Sequence, residues 1–289
     1  MKRKYVWLLL SCLMVSSMVL TSCAPAAPVA PAAPTTATPT TPTTTTAPVA
    51  PTTPVTPAVE KPKYGGTLTI AISPDQRGFS PTASGVITSG LYTLHCTNDG
   101  VWSGDWAKGP AGTNDTDFLN WTWGFDLGTM MLAESYELAA DNTLIYHIKK
   151  GIRYSLDPKS EASRLANGRE LTAADVAYSL NAMYFDPDSF GQWEFIPEEK
   201  PLSIEATDKY TVKIRYQPGM TSSTVYSTST YSYIFPPEVY GKYNKMRDWK
   251  HAVGTGGFIL VDYLPGSSIT MMRSPNGWWK TDPVGPGKG

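Results

Sequence analysis

The chain has 289 residues, a length that suits one large domain or two smaller ones. Its 24 basic residues nearly balance its 25 acidic residues, so that the formal net charge is −1. Because no run of like charge stands out, the composition argues against a nucleic-acid-binding surface. Cys12, Cys23 and Cys96 are the only cysteines, which excludes a framework of several disulfides.

The first 22 residues predict an export signal. Lys2, Arg3 and Lys4 form a basic start, and residues 5–20 are apolar apart from small polar side chains. This apolar stretch is shorter than the ~20 residues that a membrane-spanning helix needs. A basic start, a short apolar core and small residues at its end are typical of a signal peptide.

The end of this segment resembles the bacterial lipobox. Leu20, Thr21 and Ser22 precede Cys23, whose thiol would be the nucleophile that accepts a diacylglyceryl group. Each buried methylene contributes ~0.8 kcal/mol, so two or more acyl chains hold a protein on a bilayer. The resemblance implies that residues 1–22 are a lipoprotein signal peptide. It also implies that Cys23 anchors the protein to the cell membrane on the extracytoplasmic side.

Residues 23–62 predict a disordered tether. Proline recurs there among alanine, threonine and valine, and Glu60 is the only charged residue of the stretch 24–60. Proline fixes φ and lacks an N–H donor, so such a tract favours polyproline II over a packed core. The tether would hold a folded domain, predicted for residues 63–289, away from the membrane.

Strand signals recur within the folded domain. Gly66–Ile72 predicts a buried strand because it is apolar on both faces. Residues 91–130 show little periodicity, and we predict irregular structure there. Further strands are predicted at Thr143–Gly151, where a turn ends the strand, and at Tyr210–Tyr216, where apolar and polar residues alternate. Residues 256–273 predict two strands joined by a Pro-Gly turn.

One helix is marked by several local signals. Thr172 is placed to cap the first turn, and Asp175 stands at the reciprocal position of a capping box. Leu171 and Val176 have the spacing of a hydrophobic staple, and Pro187 ends the pattern. Strands interleaved with a long helix favour an α/β or α+β domain.

Several of these segments together resemble the extracytoplasmic solute-binding proteins of ABC importers, in the family that binds peptides and nickel. The resemblance is carried, in the order of that family, by YGGTL, LAESYELAADNTLIYHIKKGIRY, NGRELTAADVAYSLNAM, IEATDKYTVKIRY, FPPEVYGKY and VGTGGFILVDYLPGSSITMMRSPNGWW. It implies a periplasmic-binding-protein-like (type II) lobe, a mixed sheet with flanking helices. It also implies ABC permease subunits as partners and an oligopeptide or similar small solute as ligand.

The chain departs from this family in four places. The loop between Tyr154 and Asn167 is longer than the short turn that is usual in the family. Gly257 stands where a proline is common, and the block 96–118 is an insertion relative to typical members. Members of the family usually continue for some 200 residues more, through a second lobe. We therefore expect residues 63–289 to be the N-terminal lobe of a truncated solute-binding protein that lacks its second lobe.

Candidate ligand-binding residues lie in three segments. Asp75 and Gln76 follow the first predicted strand, where the family resemblance implies groups that face the ligand; an ordinary surface turn is the alternative. Trp102 and Trp106 would stack on a ligand ring, or else pack in the core. The turn of Gly254, Thr255 and Gly256 would shape the cleft, or serve the fold alone.

The sequence predicts neither an enzyme nor a cofactor or metal site. His95, His147 and His251 are widely spaced, and no GxSxG, HExxH or phosphate-loop motif is present. The predicted function is therefore a lipid-anchored oligopeptide-binding component of an ABC importer. Two alternatives stay open: an oligosaccharide-binding relative, and a truncated surface lipoprotein with no role in transport.

Overall fold

The computed structural model describes residues 65–73, 75–83, 88–105, 107–109, 112–115, 125–230 and 232–278. The predicted signal peptide, Cys23 and the tether lie outside these residues. The helices are α1 (Thr88–Thr97), α2 (Glu161–Ala166), α3 (Ala173–Phe185), α4 (Gly191–Glu194), α5 (Thr221–Thr230) and α6 (Pro237–Lys242). The strands are β1 (Trp102–Gly104), β2 (Gly128–Met130), β3 (Ala133–Ala139), β4 (Thr143–Ile148), β5 (Ser203–Asp208), β6 (Thr211–Arg215), β7 (Phe258–Leu264) and β8 (Ser268–Arg273). Within the described ranges, no helix has both the length and the apolar character to cross a bilayer.

The main sheet contains four strands in the order β3-β4-β6-β5. Its central strands place Leu144 opposite Ile214 and Tyr146 opposite Val212, and all four side chains are buried. The smaller pairs β1–β2 and β7–β8 are antiparallel, as are all pairs of the main sheet. The α/β class is therefore confirmed, but the described strands form antiparallel sheets where a mixed sheet was expected. Short turns join three of the pairs as hairpins, which can only be antiparallel.

Helix α3 confirms the predicted helix and its start. The Thr172 N–H donates to Asp175 Oδ2 at 2.8 Å. Leu171 and Val176 are both fully buried, as a hydrophobic staple requires. The helix ends two residues before Pro187, and it packs against β5 and β6 of the main sheet.

Helix α5 was not predicted, because it consists almost entirely of serine and threonine. These residues have modest helix propensity, and tertiary hydrogen bonds hold the helix instead. Thr228 Oγ1 lies 2.7 Å from the Tyr146 hydroxyl and accepts the indole N–H of Trp102 at 3.4 Å. A second tyrosine, Tyr184, hydrogen-bonds Ser227 Oγ. All of these side chains are buried, so the core around α5 is joined by hydroxyl groups.

Replacing Thr228 with valine tests this polar core. Thr228→Val keeps the side-chain shape but leaves the buried Tyr146 hydroxyl without the hydrogen bond to Oγ1. We expect the free energy of unfolding, measured by urea titration, to fall by about 1–3 kcal/mol. The control Thr207→Val, at an exposed position of β5, should change it by less than about 0.5 kcal/mol. Equal values for the two variants would contradict the structural role of the hydroxyl.

Two predicted segments are wrong. Residues 65–72 contain no strand, and Leu68 and Ile70 are 83% and 68% exposed. A strand forms only where a neighbour pairs with its backbone groups, and no described residue pairs with this segment. The stretch 91–130, predicted to be irregular, contains most of α1 together with β1 and β2. Helix α1 buries Thr93 and Thr97 beside Leu94, so its inner face carries no apolar stripe that a sequence would reveal.

Candidate functional site

The loop that carries Asp75 and Gln76 is fastened to the tip of the β7–β8 hairpin and to α1. Asp75 Oδ2 accepts hydrogen bonds from the Gly266 N–H at 2.8 Å and the Tyr263 hydroxyl at 3.2 Å. Asp75 Oδ1 accepts the Gln76 N–H at 2.8 Å. These hydrogen bonds lower the pKa of Asp75, and the bond from the Gly266 N–H has the largest effect. The Gln76 side chain is buried and accepts the Thr93 hydroxyl of α1.

The turn of Gly254, Thr255 and Gly256 lies against the C-terminal end of α1. The Gly256 N–H donates to Thr97 O at 3.0 Å. A Cβ at Gly254 would lie 2.1 Å from Thr97 O, and one at Gly256 would lie 2.5 Å from Cys96 O. Glycine is therefore required at both ends of the turn, because the two backbones approach too closely for a side chain.

Asp99 joins this turn to Trp278. Its Oδ2 accepts the Thr255 hydroxyl and the Trp278 indole N–H, both at 2.9 Å. Its backbone carbonyl accepts the Ile234 N–H at 3.1 Å. Asp99 thus contacts Thr255 and Trp278 through its carboxylate and Ile234 through its backbone carbonyl. Sequence reasoning missed it because Asn-Asp-Gly is an ordinary turn sequence.

The environment of Asp99 disfavours its charge. Only 9% of the residue is exposed, and burial raises the pKa of the carboxyl group above its usual value. The hydrogen bonds from Trp278 and Thr255 oppose this change, and so does the positive charge of Lys149. The Lys149 Nζ lies 5.2 Å from the centroid of the Trp278 ring, whose indole N–H donates to the Asp99 carboxyl group.

Trp102 belongs to the core. Its side chain is fully buried, its ring lies 4.7 Å from that of Phe125, and its indole N–H donates to Val225 O at 3.2 Å. Such a ring offers no surface to a ligand, so we do not include Trp102 in the site. Trp106 lies outside the described residues, and its predicted role stays a prediction.

No metal site is found in the part of the chain that the structure describes, where no three His, Cys, Asp or Glu side chains are arranged to hold an ion. His147 Nε2 lies 2.8 Å from Glu137 Oε1 on the neighbouring strand. His251 stacks on Tyr243, with ring centroids 4.2 Å apart. These two histidines therefore have partners that account for them.

The structure brings two of the three candidate segments to the same helix. Gln76 contacts the middle of α1, and the turn 254–256 contacts its end. The loop, the turn and the buried carboxylate of Asp99 are thus joined around one helix by hydrogen bonds.

A family described as bacterial extracellular solute-binding proteins, family 5 Middle, matches residues 129–288. The chain is 25% identical over 186 residues to the peptide transport periplasmic protein SapA of Haemophilus influenzae. That alignment covers 53% of this chain and 32% of SapA. The chain thus spans about a third of the length of this relative.

Solved structures share the fold. One is the oligopeptide-binding protein AppA of Bacillus subtilis in complex with a nonapeptide. The superposition covers 69% of this chain and 34% of the AppA chain, with 18% identity and a TM-score of 0.51. For OppA of Haemophilus influenzae in complex with RPPGFSPFR, the superposition covers 71% of this chain and 37% of the OppA chain, with 17% identity and a TM-score of 0.52. For NikA of Brucella suis in complex with Fe(III)-EDTA, the superposition covers 71% of this chain and 35% of the NikA chain, with 15% identity and a TM-score of 0.51.

Proposed function

Because the chain belongs to the bacterial extracellular solute-binding proteins of family 5, we propose that it supplies a solute-binding lobe of an ABC importer. In this proposal the lobe captures oligopeptides outside the cytoplasmic membrane and delivers them to permease subunits. The family match carries the proposal, since it includes the main sheet, α3 and the β7–β8 hairpin. The peptide-transport description of SapA supports the class of solute.

The proposed mechanism is a clamp. Two lobes close about a hinge and exclude water from the solute between them. Residues 63–289 would form one lobe, with the turn 254–256 and the loop at Asp75 and Gln76 near its cleft. The hydrogen bonds of this loop and turn to α1 and the hairpin would keep the cleft wall rigid, and rigidity lowers the entropic cost of binding.

We also propose a membrane attachment for this lobe. Cleavage after Ser22 and acylation of Cys23 would anchor the chain, and residues 23–62 would form a tether. The basic start, the apolar stretch and the lipobox support this proposal. The oligosaccharide alternative is less well supported, because the ring of Trp102 is buried in the core.

Thermal unfolding of the full chain with a panel of solutes tests the function. The panel comprises peptides of two to nine residues, malto-oligosaccharides and Ni²⁺. A peptide that binds the folded chain but not the unfolded chain should raise the free energy of unfolding. The increase should be about 2.7 kcal/mol when the free peptide concentration is 100 times its Kd. We expect stabilisation by peptides and not by an equimolar mixture of their free amino acids.

The other outcomes discriminate between the alternatives. Stabilisation by malto-oligosaccharides alone would favour the oligosaccharide-binding relative. No stabilisation by any solute would overturn the solute-binding proposal and favour a surface lipoprotein with no role in transport.

A further inference from the structure

A polar groove lies at the C-terminal end of α6. It has a volume of about 570 Å³, and none of the candidate residues of the proposed cleft belongs to it. The groove is therefore a second concave surface, separate in its residues from the loop and the turn described above. Its walls are formed by Lys242, Tyr243, Asn244, Arg247, Asp248 and His251.

The lining of the groove carries more positive than negative charge. Lys242 and Arg247 are cationic, and His251 adds an imidazole group. Asp248 is the one carboxylate among the six lining residues, and its Oδ1 already accepts the Lys250 N–H at 3.0 Å. The charges of the lining therefore favour an anionic ligand over a cationic one.

Several hydrogen-bond donors of the groove are unused. Among the described residues, the Arg247 guanidinium donates to Asp188 Oδ2 alone, at 3.2 Å, and keeps its other N–H groups available. In the same part of the chain, the Asn244 amide and the ring nitrogens of His251 make no hydrogen bond. The groove can therefore donate to a ligand from several sides.

The two cations have weakly bound partners. Lys242 Nζ lies 3.6 Å from Glu161 Oε1, Arg247 pairs with Asp188, and each of these four side chains is at least 45% exposed. Ion pairs that are so exposed contribute little to stability, because water screens them. A ligand anion can therefore replace these carboxylates without leaving a buried charge unpaired.

The backbone beside the groove has an unfavourable conformation. Asn244, Lys245 and Met246 are three successive residues with φ of 46°, 57° and 56°, a region in which Cβ lies too close to the following carbonyl oxygen. The bond from Lys245 Nζ to Asp186 at 2.6 Å and the burial of Met246 hold the segment in place. Such strain is concentrated at functional sites, and here it lies between Asn244 and Arg247 of the groove wall.

Helix α2 supports the groove from one side. It packs against α6 and the turn 249–251, and it lies in the loop after Tyr154 that is longer than is usual in the family. Glu161 of α2 accepts the Tyr243 hydroxyl at 2.7 Å, and the Tyr243 ring stacks on His251. The groove thus borders a segment in which this chain departs from its family.

We propose that this groove binds a phosphate ester, with Arg247 and Lys242 bound to the phosphate oxygens and Asn244 and His251 as further donors. A guanidinium group presents its N–H groups in a planar fork that matches phosphate, and an ammonium group adds a compact charge. A phosphate monoester carries about −1.5 to −2 charges at pH 7, so it gains more from two cations than a carboxylate does. The ester is either a soluble phosphate or the headgroup of a phospholipid.

Calorimetric titration of the full chain with glycerol phosphate tests the site. We expect binding that becomes at least about 10-fold weaker in Arg247→Gln, which removes the charge and the fork. The matched control Arg215→Gln, at an exposed position of β6, should bind like the natural protein. Acetate, which carries one charge, should bind more weakly than glycerol phosphate.

A vesicle experiment distinguishes the two sources of the ester. The natural chain and Arg247→Gln are sedimented with vesicles of phosphatidylglycerol in phosphatidylcholine. Because both proteins have the same N-terminal segment, a difference in sedimentation reports the groove alone. Stronger sedimentation of the natural chain assigns the headgroup, and Arg247-dependent binding of glycerol phosphate without it assigns a soluble ester; both results support the site.

Three results would overturn the proposal. These are the absence of Arg247-dependent binding in both experiments, equal affinity of Arg247→Gln and Arg215→Gln, and equal affinity for acetate. Urea midpoints of the two variants should agree, since both arginines are exposed, and Lys242→Gln repeats the comparison at the second cation. A failure of peptides to bind would overturn the solute-binding function and leave this inference intact, because the groove uses no residue of the proposed cleft.

Discussion

Replacing Arg169 with methionine should destabilise the protein by about 2–3 kcal/mol. Its guanidinium group donates to both oxygens of Asp175, at 2.8 and 2.6 Å, and to both oxygens of Glu238, at 2.7 and 2.8 Å. The Asp175 side chain is only 5% exposed. Loss of one partner from a buried ion pair costs about 3–5 kcal/mol, and we lower this figure because Arg169 is itself 36% exposed.

The position of Arg169 explains the size of this effect. Asp175 belongs to the capping box of α3, and Glu238 lies in the first turn of α6. Arg169 therefore holds the starts of two helices together. In Arg169→Met the two carboxylates would face each other without the cation, so the repulsion adds to the lost hydrogen bonds.

The pH dependence of stability provides a second measurement of the same network. The hydrogen bonds from Arg169 lower the pKa of Glu238. A lowered carboxyl pKa contributes stability that is fully present above the unfolded value of about 4.3 and is lost as the pH falls through the folded value. The difference between the natural protein and Arg169→Met should therefore shrink towards pH 3.

Urea titrations at pH 7 and pH 3 check this prediction, with two companion variants. Arg169→Lys keeps the charge without the planar fork and should recover part of the loss. Arg215→Met replaces an exposed arginine of β6 and should have little effect at either pH. If the free energies of unfolding of Arg169→Met and Arg215→Met were equal, the ion pairs of Arg169 would not contribute to stability.

The sequence predicts those elements whose signals are local. The capping box at Thr172 and Asp175 marks the start of α3, and Pro187 marks its end. In β6 the alternation of Val212 and Ile214 with polar residues reports burial on one face. Pro265-Gly266 predicts the β7–β8 turn, where Gly266 has φ 68°. Each signal acts within a few residues, so no knowledge of distant partners is needed.

The missed elements depend on distant partners. Thr228 of α5 hydrogen-bonds Tyr146, which lies 82 positions away in the chain. A run of serine and threonine predicts neither a helix nor a buried position. Conversely, Gly66–Ile72 has the composition of a strand but lacks a described partner, and its apolar side chains are exposed. Propensity therefore overestimated one segment and overlooked the other, because pairing and burial are decided by the rest of the chain.

The candidate site shows the same division. Gly254 and Gly256 were predicted to form a turn, but their contact with α1 is visible only in the structure. Asp99 was missed because its partners Thr255 and Trp278 lie 156 and 179 positions away. A carboxylate that is buried by such distant contacts looks in sequence like any surface turn.

Replacing Gly254 with alanine should destabilise the protein by at least about 3 kcal/mol, since the structure has no room for the methyl group. The new Cβ would lie 2.1 Å from Thr97 O and 2.6 Å from the side chain of Asn98. The first of these atoms belongs to the backbone at the end of α1, which cannot move without disrupting its own hydrogen bonds. Overpacking of this kind usually costs about 1–3 kcal/mol, and more where a backbone must shift.

Gly241→Ala is the matched control for this prediction. Gly241 lies within α6, and a Cβ there meets nothing within 4 Å. The same substitution should therefore stabilise the protein by about 0.5–1 kcal/mol, because alanine favours the helix over glycine. Urea titration of the two variants should give changes of opposite sign. If Gly254→Ala were also neutral or stabilising, the turn would not lie against α1, and the orientation of Asp99 through Thr255 would lose its basis.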